Sequence, residues 1–219
     1  MGGFVPPADA RVFLGRLTHL DAAAVVRLRP AGAGRVALWG RLPWAVLVTR
    51  EVDGEVAEDV TVGATDLLAA DGPLPPRRDA WWRWPLPPDP GAVVEKVPGA
   101  RLREVAAAAA GTLREVTETG LEGRPVGVRV LREALLDHVA VVVETAGAGR
   151  VEVPQRLVQA LLRMGFLGPD EADEADEPPV RVRRADGWVG LAARFGTAWL
   201  PPPDPLAVRP ARRPAGRSG

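Results

Sequence analysis

Two histidines are the residues of this sequence best suited to acid–base chemistry. His19 lies two residues before Asp21, and His138 directly follows Asp137. A nearby carboxylate can orient an imidazole ring for proton transfer, so either pair has the parts of a general base. Neither pair has a further histidine or carboxylate at the spacing that gathers metal ligands on one helix face. We therefore expect both histidines to be structural, and we expect no metal site and no cofactor.

The acidic run DEADEADE, from Asp170 to Glu177, is a candidate for cation binding. Calcium loops alternate their oxygen ligands around a glycine turn and close with a glutamate, and this run contains no glycine. It lies directly before Pro178 and Pro179. The pattern favours a solvated loop over a cation site.

Few side chains in this chain of 219 residues can act as a nucleophile. There is no cysteine, and the only serine is Ser218, next to the last residue. These absences exclude disulfides and thiolate catalysis, and they make a Ser-His-Asp hydrolase a poor fit. A covalent enzyme would have to use a threonine or a carboxylate, and no motif points to one. An enzyme of that kind is the second alternative reading.

The pentapeptide AGAGR occurs twice, at Ala31–Arg35 and Ala146–Arg150. Each copy lacks the third glycine of a dinucleotide-binding loop, and each leads into a predicted strand instead of a helix. A phosphate site of that type uses the N-terminus of the following helix, so we interpret both copies as hairpin turns. The repetition leaves an internal duplication open.

The stretch with the least usual composition is RRDAWWRW, residues 77–84, inside a proline-rich segment. Arginines that alternate with tryptophans can form a protein-binding surface, and they can also stack on single-stranded bases. In the packing interpretation, which we favour, Trp82 and Trp84 are buried and Trp81 is partly exposed. In the binding interpretation, the contact residues are Arg77, Arg78, Trp81 and Arg83.

Proline clusters and hydrophobic periodicity then indicate the elements that position these residues. Helices are predicted at Ala10–Leu20, Asp66–Ala70, Ala100–Val116, Val126–His138 and Pro154–Met164. Strands are predicted at Ala24–Arg29, Arg35–Trp39, Trp44–Val52, Val139–Glu144, Arg150–Val153, Val180–Arg184 and Trp188–Ala193. The domain prediction is an N-terminal α+β unit (1–72), an ordered Pro/Trp-rich connector (73–92), a C-terminal α+β unit (93–200) and a flexible basic tail (201–219).

The order of elements in the C-terminal unit resembles the second half of a winged-helix domain. The helix Pro154–Met164 would be the recognition helix, and the hairpin Val180–Ala193 would be the wing. The resemblance implies nucleic-acid binding, which is the first alternative function. The candidate nucleic-acid contacts are Arg156, Arg163, Arg181, Arg183 and Arg184.

These elements predict an α+β fold: an N-terminal helix with a small antiparallel sheet, the connector, and a C-terminal three-helix unit with two β-hairpins. The leading function is a non-catalytic cytoplasmic protein that acts through protein–protein contacts, as an adaptor, assembly or regulatory factor. We expect a protein partner or self-association.

The 28 basic and 28 acidic side chains balance, so net charge does not call for a nucleic acid or a membrane. No apolar run approaches the roughly 18 residues that a membrane span needs, and we expect no membrane partner.

Overall fold

The computed structural model describes residues 4–88, 91–119, 128–145, 149–169 and 178–203. The strands in these ranges are β1 (Val25–Pro30), β2 (Arg35–Arg41), β3 (Leu47–Asp53), β4 (Val60–Gly63), β5 (Ala92–Val97), β6 (Val139–Thr145), β7 (Gly149–Pro154), β8 (Val180–Ala185), β9 (Trp188–Ala193) and β10 (Gly196–Leu200). The helices are α1 (Ala8–Leu20), α2 (Ala64–Ala69), α3 (Gly99–Thr119), α4 (Val128–Asp137) and α5 (Gln155–Arg163).

One antiparallel sheet of eight strands dominates the described part of the chain, in the order β4-β1-β2-β3-β10-β9-β8-β5. The strands β6 and β7 form a separate hairpin. The predicted fold is therefore wrong in its organisation, because both predicted units contribute strands to the same sheet. The first AGAGR copy follows β1 of the large sheet, and the second follows β6 of the separate hairpin. Residues 146–148 of the second copy lie outside the described residues.

The strand that joins the two halves is β10, which the sequence pattern did not predict. It pairs with β3 on one side, with Thr197 opposite Thr49 and Trp199 opposite Leu47. On its other side it pairs with β9. Because β10 satisfies the backbone groups of β3, the N-terminal strands do not end as a small sheet of their own.

One face of the sheet, which we call the inner face, is covered by helices. The helix α1 buries Ala10, Phe13, Leu14 and Leu17 along a single stripe, as the 3.6-residue period predicts. The helix α5 likewise buries four apolar side chains, Leu157, Val158, Ala160 and Leu161. The rings of Phe13 and Phe166 stack with their centroids 6.4 Å apart, which couples the two helices within one hydrophobic core.

The helices α3 and α4 and the β6–β7 hairpin all contact α5. The winged-helix expectation is therefore wrong for two reasons. The predicted recognition helix is α5, and its apolar face is buried in the core beside β9 and β10. The predicted wing, β8 and β9, lies inside the eight-stranded sheet.

The other face of the sheet, the outer face, is crossed by the connector, of which residues 73–88, 91 and 92 are described. The connector begins beside the edge strand β4, where the backbone N–H of Arg78 donates to the Thr61 carbonyl at 2.7 Å. The Thr61 N–H donates to Asp79 Oδ1, also at 2.7 Å. These two bonds satisfy part of an otherwise open sheet edge.

Candidate functional site

The outer face carries a row of short side chains across its central strands. Paired positions place Trp39, Thr49, Thr197, Ala192 and Arg181 side by side on five neighbouring strands. Because strands lie about 4.8 Å apart, this row is about 19 Å long. The three short side chains in its middle leave a depression between a tryptophan and an arginine.

This depression is the floor of a groove of about 580 Å³, which we call the sheet-face groove. Its lining residues are Arg29, Pro30, Ala31, Ala37, Trp39, Thr49, Glu51, Pro87, Pro88, Arg181, Arg183, Ala192, Ala193, Thr197 and Trp199. A row about 19 Å long matches about six residues of extended chain. The groove therefore has the dimensions for a short extended peptide.

The connector lines one side of the groove with Pro87 and Pro88, and the packing of its tryptophans holds it on the sheet. Trp82 is 9% exposed and packs in a cluster with Val25, Leu47, Trp188 and Trp199. Its indole Nε1 donates to the Trp84 carbonyl at 2.8 Å, and the two rings meet edge to face. The predicted burial of Trp82 is confirmed, whereas Trp84 is only half-buried, with the Arg41 guanidinium 4.8 Å from its ring centroid.

The position of Trp199, which also lines the groove, depends on a glycine in the neighbouring strand β9. A Cβ at Gly190 would lie 2.5 Å from the Trp199 ring, so only glycine lets the indole lie flat across β9.

The β1–β2 turn at the far end of the groove has positive φ at Gly32, Ala33 and Gly34. The hairpin interpretation of the first AGAGR copy is therefore confirmed.

The charges around the groove are mainly positive. Arg29, Arg181 and Arg183 line it, against a single carboxylate from Glu51. Arg29 is partly neutralised by Asp59, whose Oδ2 is 3.0 Å from Nε. Arg181 is exposed and has no ion-pair partner among the described residues. The groove consequently favours an anionic ligand.

One further feature of the groove floor is an unpaired hydroxyl. The Thr49 Oγ1 atom is buried and has no hydrogen-bond partner within the described part of the chain. A buried polar atom of this kind costs free energy unless something pairs with it.

The candidate interaction residues of the connector have largely structural contacts. Arg77 pairs with Glu58 and Asp79, and Arg78 pairs with Asp66. Trp81 is 58% exposed, as expected, and the Arg78 guanidinium lies 5.4 Å from its ring centroid. Arg83 is exposed. Arg77, Arg78 and Trp81 lie at the β4 end of the connector, and none of the four residues lines the sheet-face groove.

Asp79 is the carboxylate that fixes this end of the connector. Partial burial has the largest single effect and acts to raise its pKa, whereas the hydrogen bonds from Arg77 and from the Thr61 N–H act to lower it. The charges of Arg77 and Arg27 act in the same direction, so the pKa of Asp79 lies below its usual value of 3.8.

The five candidate nucleic-acid contacts do not form one surface. Arg181 and Arg183 alternate with buried Val182 and lie on the outer face. Arg156 lies on the helix side, where it bonds to the Trp44 carbonyl and to Asp137, and Arg163 lies at the end of α5. Arg184 alternates with Arg183 and so belongs to the other face of the strand.

The remaining chemical candidates of the sequence are not brought together. His19 lies near the end of α1, and His138 follows α4, where its carbonyl accepts the N–H of Gln155. Across the described ranges, no group of three or more histidine, aspartate or glutamate side chains is placed to hold a metal ion. The acidic run 170–177 and the tail from residue 204 lie outside the described residues. No described helix combines the length and apolar character that crossing a bilayer requires.

Sequence reasoning missed most of the groove. Thr197 and Trp199 belong to the unpredicted β10, and Trp39 and Thr49 had no assigned role. A usable signal was the set of alternate positions in Trp188–Ala193 and Gly196–Leu200 that includes Gly190, Ala192 and Thr197, because these residues are too short to fill the face on which they lie.

Comparison with known proteins gives a fold-level match and two families. The beta subunit from DNA polymerase of Streptococcus pyogenes has a similar solved structure, with a TM-score of 0.50 and 9% sequence identity. The alignment covers 87% of this chain and 62% of that chain, so this chain spans less than two thirds of the similar structure. No curated protein sequence matches the chain.

Two families described as domains of unknown function match consecutive parts of the sequence. DUF8010 matches residues 6–81, which include β1 to β4, and DUF8185 matches residues 86–205, which include β5 to β10. Because the second match covers more than half of the chain, the protein belongs to the family described as Domain of unknown function (DUF8185).

Proposed function

We propose that this protein is non-catalytic and acts through protein–protein contacts, as an adaptor, assembly or regulatory factor. Its sheet-face groove would bind an extended acidic segment of a partner protein. The observation that carries the proposal is the groove itself, an open row of short side chains between Trp39 and Arg181.

The shape of the groove supports an extended occupant. The connector already lies against this face as extended chain, with Pro87 and Pro88 among the lining residues. Proline-containing extended segments bind well in grooves lined by aromatic rings, because little conformational entropy is lost. Trp39 and Trp199 provide such rings beside the open part of the groove.

The charge of the groove supports an acidic occupant. Three arginines and one glutamate line the groove, and Asp59 neutralises only Arg29 in part. Lys96 lies opposite Arg181 on the neighbouring strand, which extends the positive charge along the same row. Charge complementarity of this kind raises association rates and selects partners, and it weakens as salt increases. The similar solved structure is named as a subunit of a polymerase, a likeness of fold alone on which the proposal does not depend.

The test is a titration of purified protein with two matched peptides, one alternating glutamate with proline and one alternating lysine with proline. Tryptophan fluorescence reports binding, because Trp39 and Trp199, two of the seven tryptophans, line the groove. We expect saturable binding of the acidic peptide at ~50 mM salt, weakening as salt rises, and no binding of the basic peptide. Equal responses to the two peptides would contradict the proposal.

A matched pair of charge reversals assigns the binding to the groove. Arg181→Glu changes the exposed arginine at the end of the groove and should weaken acidic-peptide binding at least about tenfold. Arg114→Glu makes the same change at an exposed position of α3, away from the groove, and should leave binding unaltered. An unchanged affinity in Arg181→Glu would refute the groove as the site.

The same variants separate the proposal from nucleic-acid binding and from catalysis. A single-stranded oligonucleotide that binds wild-type protein more tightly than the acidic peptide, and loses binding in Arg181→Glu, would replace the protein partner by a nucleic acid. Mass spectrometry of protein purified under native conditions that finds a tightly bound metal or cofactor would contradict the non-catalytic role.

A further inference from the structure

A second depression adjoins the sheet-face groove at the turn between β9 and β10. Its volume is about 340 Å³, and we call it the hairpin pocket. The backbone N–H of Phe195, in that turn, donates to the Phe166 carbonyl at 3.1 Å, which ties the turn to the core. The hairpin pocket and the groove are continuous, because they share the lining residues Thr49, Glu51, Ala193 and Thr197.

Most charged side chains that line the hairpin pocket are neutralised by a neighbour. The Arg50 Nη2 atom lies 2.6 Å from Asp9 Oδ2, and both residues line the pocket. The Arg35 Nη1 atom lies 3.2 Å from Asp53 Oδ1. The remaining charged side chains of the lining are one carboxylate and one guanidinium.

The remaining carboxylate belongs to Glu51 on β3. Its side chain is exposed and has no ion-pair partner among the residues that the structure describes. Ala37 lies opposite it on β2 and is too short to cover it. Arg29, the next residue in the same row, pairs with Asp59 instead. The Glu51 carboxylate therefore lies at the pocket without a cation beside it.

The remaining guanidinium belongs to Arg194 in the β9–β10 turn. It is exposed and forms no ion pair within the described ranges of the chain. Its Cζ atom lies 5.1 Å from the centroid of the Phe195 ring, and Arg50 lies 5.5 Å from the same centroid. These cation–π contacts hold the Arg194 guanidinium at the pocket without neutralising its charge. A carboxylate that enters the pocket can therefore pair with it.

Strand pairing fixes the spacing of these two charges. Thr49 of β3 and Ala192 of β9 both lie opposite Thr197 of β10. Glu51 and Arg194 each lie two residues further along the chain in the same direction. Two strand spacings of about 4.8 Å place their backbones about 10 Å apart. A polyproline II segment rises about 3.1 Å per residue with three residues per turn, so its side chains at positions i and i+3 share one side, about 9 Å apart.

We propose that the hairpin pocket binds two opposite charges of the partner segment, a basic side chain at Glu51 and an acidic side chain three residues away at Arg194. This inference rests on the proposed function, since the segment reaches the pocket from the sheet-face groove. Glu51 is then a specificity-determining residue, because it attracts a basic side chain and repels an acidic one at the same position. The partner segment is extended and acidic overall, with one basic residue three positions from an acidic one.

The experiment titrates full-length protein at ~50 mM salt with the peptides KPPEPPE and EPPEPPK, which cover both directions of binding. Each is compared with the same peptide carrying glutamine in place of lysine, and with EPPEPPE. In one direction, the lysine peptide is expected to bind about two- to fivefold more tightly than its glutamine counterpart, the range of an exposed ion pair. EPPEPPE is expected to bind more weakly than that counterpart, although it carries more negative charge.

Substitutions at Glu51 assign the preference to this residue. Glu51→Gln should remove the difference between the lysine and glutamine peptides, and Glu51→Lys should make EPPEPPE the tightest ligand. Glu55→Gln makes a matched change at an exposed glutamate that lines neither depression, and should keep the wild-type order. Arg194→Gln should weaken binding of the preferred lysine peptide but not of the same peptide with glutamine at its centre.

Two results would overturn the inference: tightest binding of EPPEPPE by wild-type protein, or a lysine preference that persists in Glu51→Gln. The proposed function has a separate readout, the loss of acidic-peptide binding in Arg181→Glu. If that loss is observed and the lysine preference is absent, the groove remains the binding site and only the inference about Glu51 and Arg194 fails. If none of the peptides binds, both fail.

Discussion

The two faces of the eight-stranded sheet are made by the same strands but are covered very differently. On the inner face, alternate residues such as Leu38, Val48 and Leu191 are fully buried under α1 and α5. On the outer face, the connector covers an apolar cluster that includes Leu47, Trp188 and Trp199, and the residues beside that cluster are mostly short or charged. The difference indicates that the inner face supplies most of the hydrophobic core, whereas part of the outer face is left uncovered by the described residues.

The connector contains both buried apolar side chains and exposed charged ones. Its tryptophans bury apolar area as a core would, whereas its arginines make exposed ion pairs that contribute little each. Substitutions on each face in turn should therefore change the free energy of unfolding by different amounts.

The largest loss of stability is expected from Phe13→Ala on the inner side. Phe13 is 1% exposed and stacks on Phe166, so truncation leaves a cavity at the contact between α1 and the end of α5. Its free energy of unfolding should fall by about 3–5 kcal/mol, measured by urea denaturation. The neighbouring change Val12→Ala, at a residue 50% exposed, serves as control and should cost less than about 1 kcal/mol.

A slightly smaller loss is expected from Trp82→Ala on the outer side. Trp82 packs against strands from both halves of the sheet, and we expect a cost of about 3 kcal/mol by the same measurement. Trp81→Ala removes a ring that is 58% exposed and should change the unfolding free energy by less than about 0.5 kcal/mol. Similar costs for the two tryptophans would contradict the packing of the connector.

The attachment of the connector to β4 should depend on pH through Asp79. Because its pKa is lowered in the folded protein, the folded state binds fewer protons than the unfolded state between pH 3.8 and the lowered pKa. The contribution is complete above that pH and is lost as pH falls through the lowered pKa. Asp79→Asn should cost about 0.5–1 kcal/mol at pH 7, a value discounted for exposure of the carboxylate, and the difference from wild type should vanish in acid.

The smallest effect on stability is expected from Thr49→Val in the sheet-face groove. Valine keeps the β-branched shape and removes a buried hydroxyl that has no partner in the described residues. We expect the unfolding free energy to rise by up to about 1 kcal/mol. A loss of stability would mean that the hydroxyl is paired in solution.

Much of the local structure followed from the sequence, because it is encoded over short distances. The two-residue turn at Asp186-Gly187 has positive φ at both positions, as its composition predicts, and α3 and α4 agree with their predicted ranges to within a few residues. The strands β4, β5 and β10 were missed because they are short and lie beside proline or glycine.

The larger error concerned which strands pair. The pairing of Thr49 with Thr197 joins residues that are far apart in the sequence, and hydrophobic alternation specifies the face of a strand but not the neighbouring strand. The groove could not be predicted for the same reason, since Trp39 and Arg181 share a row only after β10 is inserted between the two halves. The sequence could show that Gln155 is a polar residue at an inward position of an amphipathic helix. It could not show that the buried amide lacks a hydrogen-bond partner among the described residues.

The central claim is that the open part of the outer face binds an extended acidic segment. The most direct measurement is a series of ¹⁵N–¹H correlation spectra recorded while the alternating glutamate–proline peptide is added. We expect the largest shifts at the backbone amides of Thr49, Ala192 and Thr197 and at the indole of Trp39, with the amides of α3 unaffected. Shifts confined to the helix side, or no shifts at saturating peptide, would contradict the account.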